Sequence, residues 1–390
     1  MTFVHAIGRG AYVTAAVLYF TQSLGLGIGQ VGVGLSVAGL VGMAAGPPAG
    51  HLADRYGARG AHLASLLCCA LATAAFTVPA GFWGFLSAAV AVACAHNAGL
   101  ATRGPLVADH GRDRPQEFRG HLRAVSNIGI CLGTLPAGWA VQAGTSFAYL
   151  ALVLGAAGLH LAAAAVTAFL PPTAPVPPDG GSRWIVLKDG PYAILTVLDG
   201  VMAIQFRVLT IALPLWIVLR TEAPTWLVSA TMLVNTVIVG VFQTRVSRGV
   251  DSPAAAGRAL RRAGFTFLLS CAALSCTAGP PVGITVAVLL LAVAVHTVGE
   301  LWHAAGGFEL SYTLAPPHAI GQYQGLFGMG LSAADFLGPG LVTALCLDWG
   351  RPGWFVLGAL FAVTGLLVPP ATRLAERLGE RKVLVHPESE

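Results

Sequence analysis

The sequence predicts an all-α, polytopic membrane protein, and three observations carry that prediction. Of its 390 residues, 55% are hydrophobic and only 10% are charged, whereas soluble domains carry about 25% charged side chains. Twelve segments are mostly apolar and each about 20 residues long, the length that crosses a hydrocarbon core of ~30 Å as a helix. Glycine and proline are scattered through segments that are too long and too evenly apolar for the alternating strands of a membrane barrel.

The spans fall at 6–24, 30–50, 61–80, 82–107, 121–143, 146–170, 190–219, 223–244, 258–279, 282–312, 322–346 and 352–372. No basic n-region precedes the first span and a second follows at once, so it reads as a helix and not as a cleavable signal peptide. With an even number of spans, both termini share a side. Eighteen of the 22 Lys and Arg fall in the N-terminus, the even-numbered loops and the tail, counted with the span ends that adjoin them; Arg220 and Arg351 lie in the opposite loops, and Arg103 and Arg207 are the two others inside spans. The positive-inside rule then places both termini in the cytoplasm, in a multi-pass protein of the inner (cytoplasmic) membrane. The net charge of +5 follows from this loop bias and calls for no nucleic-acid partner. Cys68, Cys69, Cys94, Cys131, Cys271, Cys276 and Cys346 lie in or at the ends of spans without metal-ligand spacing. They read as small packing residues, with no functional disulfide, metal or cofactor expected.

Between the second and third spans stands the decamer Gly50-His-Leu-Ala-Asp-Arg-Tyr-Gly-Ala-Arg59, a tight polar turn at a membrane surface. Residues 171–188 contain Pro-Pro-Thr-Ala-Pro-Val-Pro-Pro-Asp-Gly-Gly, which cannot continue a helix and reads as an extended cytoplasmic linker. It separates a six-helix bundle at 1–170 from a second at 189–375, followed by a cytoplasmic tail at 376–390. At an offset of 190, Gly10 falls on Gly200, Gly50 on Gly240 and Arg55 on Arg245, while Asp54 falls on Thr244. A duplicated six-helix unit is the plan of an alternating-access transporter with its site near mid-membrane.

The decamer resembles the G-x-L-a-D-r-x-G-r-k signature of the major facilitator superfamily. Pro316-Pro-His-Ala-Ile-Gly-Gln-Tyr-Gln-Gly325 is similar to the helix 10 to 11 loop of the 12-helix drug:proton antiporter branch. Asn127-x-Gly129-x-x-x-Gly133-x-x-Pro136-x-Gly138 is similar to a degraded form of that branch's helix 5 motif, with Thr134-Leu135 where Gly-Pro is expected. The branch's mid-helix-4 Arg, in an R-x-x-Q-G pattern, has no counterpart; Arg103 lies too near the cytoplasmic end. The resemblance implies the major facilitator fold, two six-helix bundles related by a pseudo-two-fold axis, working as a monomer. It implies that Asp54 acts near a helix N-terminus and that Arg55 and Arg59, with Gly50 and Gly57 in the turn, form a charge relay holding one conformation shut. It also implies that helices 1, 4, 7 and 10 line a central cavity.

A charge at the bilayer centre costs at least ~2.5 kcal/mol on insertion scales, so such residues face a partner or a watery cavity. Arg207, Glu300 and Asp335 lie near the middles of helices 7, 10 and 11, and Arg207 is expected to pair with Glu300 or Asp335. Asp199 precedes Arg207 by eight residues, on nearly the same face and about 12 Å away, too far for a direct pair. His296, Glu300 and His303 form one polar stripe on helix 10 at i, i+4, i+7. A carboxylate beside an imidazole can exchange a proton near neutral pH, which makes Glu300, Asp335, Asp199 and His303 the proton-coupling candidates. The alternative is a static Glu300–Arg207 salt bridge, with the histidines bonded to backbone. Metal binding by the stripe lacks a fourth ligand.

Substrate-cavity candidates are Tyr19 and Gln22 on helix 1, His96 and Asn97 on helix 4, and Gln205 and Arg207 on helix 7. So few polar groups among aromatic and aliphatic side chains suit an amphipathic solute better than a sugar. Gly42-x-x-x-Gly46-x-x-x-Gly50 reads as close helix packing. The expected function is secondary active transport: proton-coupled efflux of a hydrophobic or amphipathic small molecule by alternating access, the activity that underlies drug resistance. The alternative is a proton-coupled importer or facilitator of an organic anion, with Arg207 as the anion-binding cation. No P-loop, HExxH, GxSxG or paired catalytic constellation occurs, so an enzyme is not expected.

Overall fold

The computed structural model describes all residues except 24, 79–80, 112–114, 174, 176–183 and 386–390, and leaves aside also the side chains of 12–18, 22–23, 28, 115–116, 119, 141 and 379–385. The described elements are helices: α1 (Thr2–Leu18), α2 (Ile28–Met43), α3 (Gly46–Tyr56), α4 (Ala58–Ala75), α5 (Gly81–His110), α6 (Pro115–Ala143), α7 (Ser146–Ala168), α8 (Gly190–Ala203), α9 (Gln205–Arg207), α10 (Leu213–Arg220), α11 (Leu227–Arg248), α12 (Pro253–Ser275), α13 (Val282–Thr313), α14 (Ile320–Thr343) and α15 (Arg351–Val385).

Nine helical stretches among the described residues are long and apolar enough to cross a membrane, α2 with α3 and α8 to α10 each counting as one. The other three expected spans, 6–24, 121–143 and 258–279, fall on α1 with the turn that follows it, on α6 and on α12. α6 opens with Glu117 and Arg123, and α12 carries Arg258, Arg261 and Arg262 in its first three turns, which shortens their apolar stretches. α1 passes into a π turn at Tyr19–Ser23. Half of the expected linker, residues 174 and 176–183, lies outside the described residues; its last part, Val186–Lys188, is a 3-10 turn leading into α8.

Local chemistry sets the helix starts. Thr145 accepts from the Ala148 N–H at 3.2 Å, Asp189 from Tyr192 at 3.2 Å, and Ser252 from Ala255 at 3.3 Å. Each side chain satisfies one N–H that the first helical turn cannot.

The chain forms two compact units. The first comprises Met1–Asp113, His121–Ile185 and Pro316–Met329, and the second Arg114–Gly120, Val186–Ala315 and Gly330–Glu390. In the first, α5 packs on α2, α3 and α4, and α7 on α1 and α4, around Phe20, whose ring lies 4.8 Å from Phe76 and 4.6 Å from Phe85. In the second, α12 packs on α13 and α15, α11 on α13, and α8 on α15. There Phe267 meets Phe361 at 5.2 Å, and Trp216 meets Trp354 edge-on at 5.6 Å. Leu71, Leu154, Leu219, Leu233 and Leu291 point away from these cores, as lipid-facing residues do.

One buried polar contact is matched inside the second core: the Trp216 indole donates to Thr277 Oγ1 at 2.8 Å. Thr277→Val leaves that N–H without an acceptor, and the expected cost is about 1–3 kcal/mol. A lower melting temperature in detergent checks this; the double variant with Trp216→Phe should regain part of the loss.

Candidate functional site

Helix 7 of the sequence reading is interrupted. α8 ends at Ala203, α9 is a single turn, and a π turn over Val208–Ala212 precedes α10. Pro214, in the first turn of α10, lacks the N–H that would reach back to Thr210, and the helix widens one turn before it. Asp199 precedes this interruption, Arg207 lies within it, and the two face different neighbours. His303 Nε2 on α13 lies 3.2 Å from Asp199 Oδ1, and an ionised carboxylate can only accept, so the imidazole donates. Arg207 Nη2 donates to Asp335 Oδ1 on α14 at 2.5 Å.

Both pairs use the space left by a glycine one turn further along the partner helix. A Cβ at Gly307 would lie 2.7 Å from Asp199 Oδ1, and one at Gly338 would lie 2.6 Å from Arg207 Cγ. A side chain at either position would push the charged group away from its partner.

Glu300 is held differently. Asn235 on α11 donates through Nδ2 to Glu300 Oε2 at 2.8 Å and to Thr297 Oγ1 at 3.1 Å. Arg207 forms its ion pair with Asp335, so the static Glu300–Arg207 bridge entertained from the sequence is replaced by two separate arrangements. His296 Nε2 lies 3.0 Å from Gln205 Oε1 and 3.3 Å from the Gln205 carbonyl, with both residues fully buried. The polar stripe on α13 thus divides, its two histidines meeting helix 7 and its carboxylate meeting α11. No group of three or more His, Cys, Asp or Glu that could hold a metal occurs among the described residues.

In the first unit, Tyr19 is buried and its hydroxyl donates to the Phe76 carbonyl at 2.9 Å. Its ring packs against Phe20 and Tyr149, which places this cavity candidate in the aromatic core. The Gln22 side chain lies outside the described residues. Asn97 Nδ2 donates to Ala93 O, one turn back on its own helix, at 3.0 Å. His96 stacks on His5 at 5.9 Å, and His5 meets His160 at 4.8 Å. His62 Nδ1 lies 3.1 Å from Thr102 Oγ1, whose hydroxyl donates to Ala98 O at 2.9 Å, so His62 is the donor of that pair. His5, His62, His96 and Arg103 line a cavity of about 20 Å³ that no carboxylate lines, room for about one water. The sequence reading missed His5, His62 and His160: single histidines on α1, α4 and α7 have no common spacing.

The signature turn makes the most specific contact. Asp54 Oδ1 accepts from the Gly321 N–H at 2.7 Å and Oδ2 from the Gln322 N–H at 3.0 Å. These N–H groups open α14 and have no partner within the helix, and the carboxylate sits at the positive end of the helix dipole. Gln322 Nε2 lies 3.1 Å from His51 Nδ1. The approach depends on glycines on both helices: a Cβ at Gly46 would lie 2.8 Å from Gly325 O, and one at Gly50 would overlap the Gly321 carbonyl. Two facing G-x-x-x-G runs bring the backbones into contact, and Pro316–Met329 therefore groups with the first unit.

Gly57 ends α3 with φ +101°, a conformation that side chains disfavour. The charge relay implied for the arginines takes another form, because neither pairs with Asp54. Arg59 Nη2 donates to Ala168 O at the end of α7, and the Arg55 guanidinium lies 5.5 Å from the Tyr56 ring.

The family model described as Major Facilitator Superfamily matches residues 1–339. Among solved structures, the proton:xylose symporter XylE is similar with a TM-score of 0.70 at 13% identity, covering 94% of each chain. The human organic anion transporter MFSD10 (TETRAN) gives 0.67 at 14% identity, covering 94% of this chain and 96% of that one. The E. coli fucose:proton symporter FucP gives 0.65 at 16% identity, covering 96% of each. No curated protein matches the chain by sequence. The helices, the signature turn and the family match agree: the chain belongs to the major facilitator superfamily and is a multi-pass membrane transporter, not an enzyme.

Proposed function

We propose that the protein is a proton-coupled efflux transporter for a hydrophobic or amphipathic small molecule, working by alternating access in the cytoplasmic membrane with both termini in the cytoplasm. The observation that carries this reading is the way Glu300 is held: a carboxylate 5% exposed, with an amide from Asn235 as hydrogen-bond donor at 2.8 Å. The Asn235 amide can donate to the acid whether it is charged or protonated, so this contact is kept when Glu300 takes up or releases a proton. Asp199 with His303 forms a second exchangeable pair. Asp335 is engaged by Arg207 and has a fixed role.

Substrate contacts would come from the interrupted stretch at Gln205–Ala212, since irregular backbone inside a membrane is tolerated only where protein or a water-filled cavity satisfies it. The organic-anion reading needs Arg207 available to the anion, but Asp335 occupies its Nη2 at 2.5 Å. Asp54 would act as the cytoplasmic latch, since α14 runs from the first unit into the second and Asp54 holds its first turn.

The test is Glu300→Gln in reconstituted vesicles. This variant keeps a hydrogen-bonding side chain but cannot ionise, and it is expected to lose transport driven by a pH gradient while retaining solute exchange. Unchanged pH-driven transport would remove Glu300 from the mechanism.

A further inference from the structure

Outside the sites above, the strongest unexplained feature is a cleft of about 400 Å³ at the end of the second unit where α11 and α12 meet, lined by Arg245, Arg258, Arg262 and Trp302. Arginines in a short loop are ordinary under the positive-inside rule, and most project into water. Here three guanidinium groups line one cleft that contains no Asp or Glu. Arg248 next to it is paired with Glu117 at 3.0 Å, whereas among the described residues Arg245, Arg258 and Arg262 have no carboxylate partner. Two are steadied by aromatic rings: Arg262 lies 5.9 Å from the Trp302 ring, and Arg245 lies 5.8 Å from that of Phe242. Such contacts hold a guanidinium in place while leaving its N–H groups available.

The surroundings specify the ligand further. On α12, Phe265 and Leu269 follow Arg262 at i+3 and i+7, and on α11, Phe242 and Val241 precede Arg245 by one turn; all four are exposed. Spacings of three, four and seven residues share a helix face. Each helix therefore carries a cationic end that continues into an apolar strip running toward the membrane interior. A free phosphate would use the cations alone, whereas a phospholipid uses both parts.

We infer that this cleft binds an anionic phospholipid, its phosphate bridging Arg245, Arg258 and Arg262 and its acyl chains lying along the apolar strips of α11 and α12. Arginine forks match phosphate oxygens two at a time, and basic pockets between membrane helices on the cytoplasmic side are suited to such headgroups.

The test uses the full chain in mixed micelles containing equal amounts of phosphatidylglycerol and phosphatidylcholine, with retained lipid read by native mass spectrometry. Wild type should keep phosphatidylglycerol preferentially. Arg258→Gln and Arg262→Gln should each reduce that retention about 5-fold, while Arg373→Gln, outside the cleft, leaves it unchanged. Because each substitution is read singly, the result does not depend on the double variant folding. Equal retention of the two lipids by wild type, or full retention by both glutamine variants, overturns the proposal. Thermal stabilisation by inorganic phosphate that matches stabilisation by phosphatidylglycerol also overturns it, because the apolar strips would then have no part.

Discussion

Asp54→Asn is expected to slow transport about 10- to 100-fold while leaving expression and folding near normal. The carboxylate accepts two backbone N–H groups, at 2.7 and 3.0 Å, and hydrogen bonds to a charged group are worth about 1.5–3 kcal/mol each. Asparagine retains one carbonyl oxygen, loses the charge that favours the helix N-terminus, and turns an NH2 toward an N–H. Losing the equivalent of one such bond, about 1.5–3 kcal/mol, changes the population of the latched state by roughly 10- to 100-fold. Initial transport rates measure the effect, and accessibility of a cysteine introduced beside Gln322 measures the latch itself. Wild-type rates in this variant would remove Asp54 from the gate. A bulky residue at Gly50 should give a comparable loss by a different route, because it collides with the Gly321 carbonyl and prevents the backbones from meeting.

Arg207→Ala is expected to have the largest effect on stability. A guanidinium cannot lose its proton, so in the middle of a membrane span it requires an anion or water. Removing one partner of a buried pair costs about 3–5 kcal/mol. The Arg207 and Asp335 side chains are 27% and 36% exposed, and solvent screening lowers the expected loss to about 1–3 kcal/mol. The double variant Arg207→Ala/Asp335→Ala should recover part of the melting temperature, because no charge is then left without its partner. A loss in the double variant equal to the sum of the two single losses would mean that the pair is not coupled.

Most of the architecture was legible in the sequence because membrane spans are set by length and apolarity, and those quantities are local. The signature turn was legible for a related reason: its acid, arginines and glycines lie within one decamer. Pairings across helices were harder to read. Similar depth made both Glu300 and Asp335 candidates for Arg207, and the choice depends on a helix break before Pro214 and on the space left by Gly338. Glu300 accepts from Asn235, a single amide in an apolar helix with no spacing to mark it. Likewise, Gly307 was one glycine among 49 until the Asp199 carboxylate was found against it. His96 and the three histidines around it lie on four helices, and only folding brings them together. The start of α14 groups with the first unit because two glycine runs far apart in sequence face each other.

The measurement that tests the account most directly is proton movement coupled to solute movement in vesicles containing the purified protein. An internal pH dye and an amphipathic fluorescent cation are followed together while a pH gradient is imposed. The account requires the gradient to drive the cation against its own concentration difference, with protons moving the opposite way, and it requires Glu300→Gln to abolish both the uphill movement and the proton flux while exchange continues. Transport whose rate and final level are the same with and without the gradient, and which moves no protons, would contradict it.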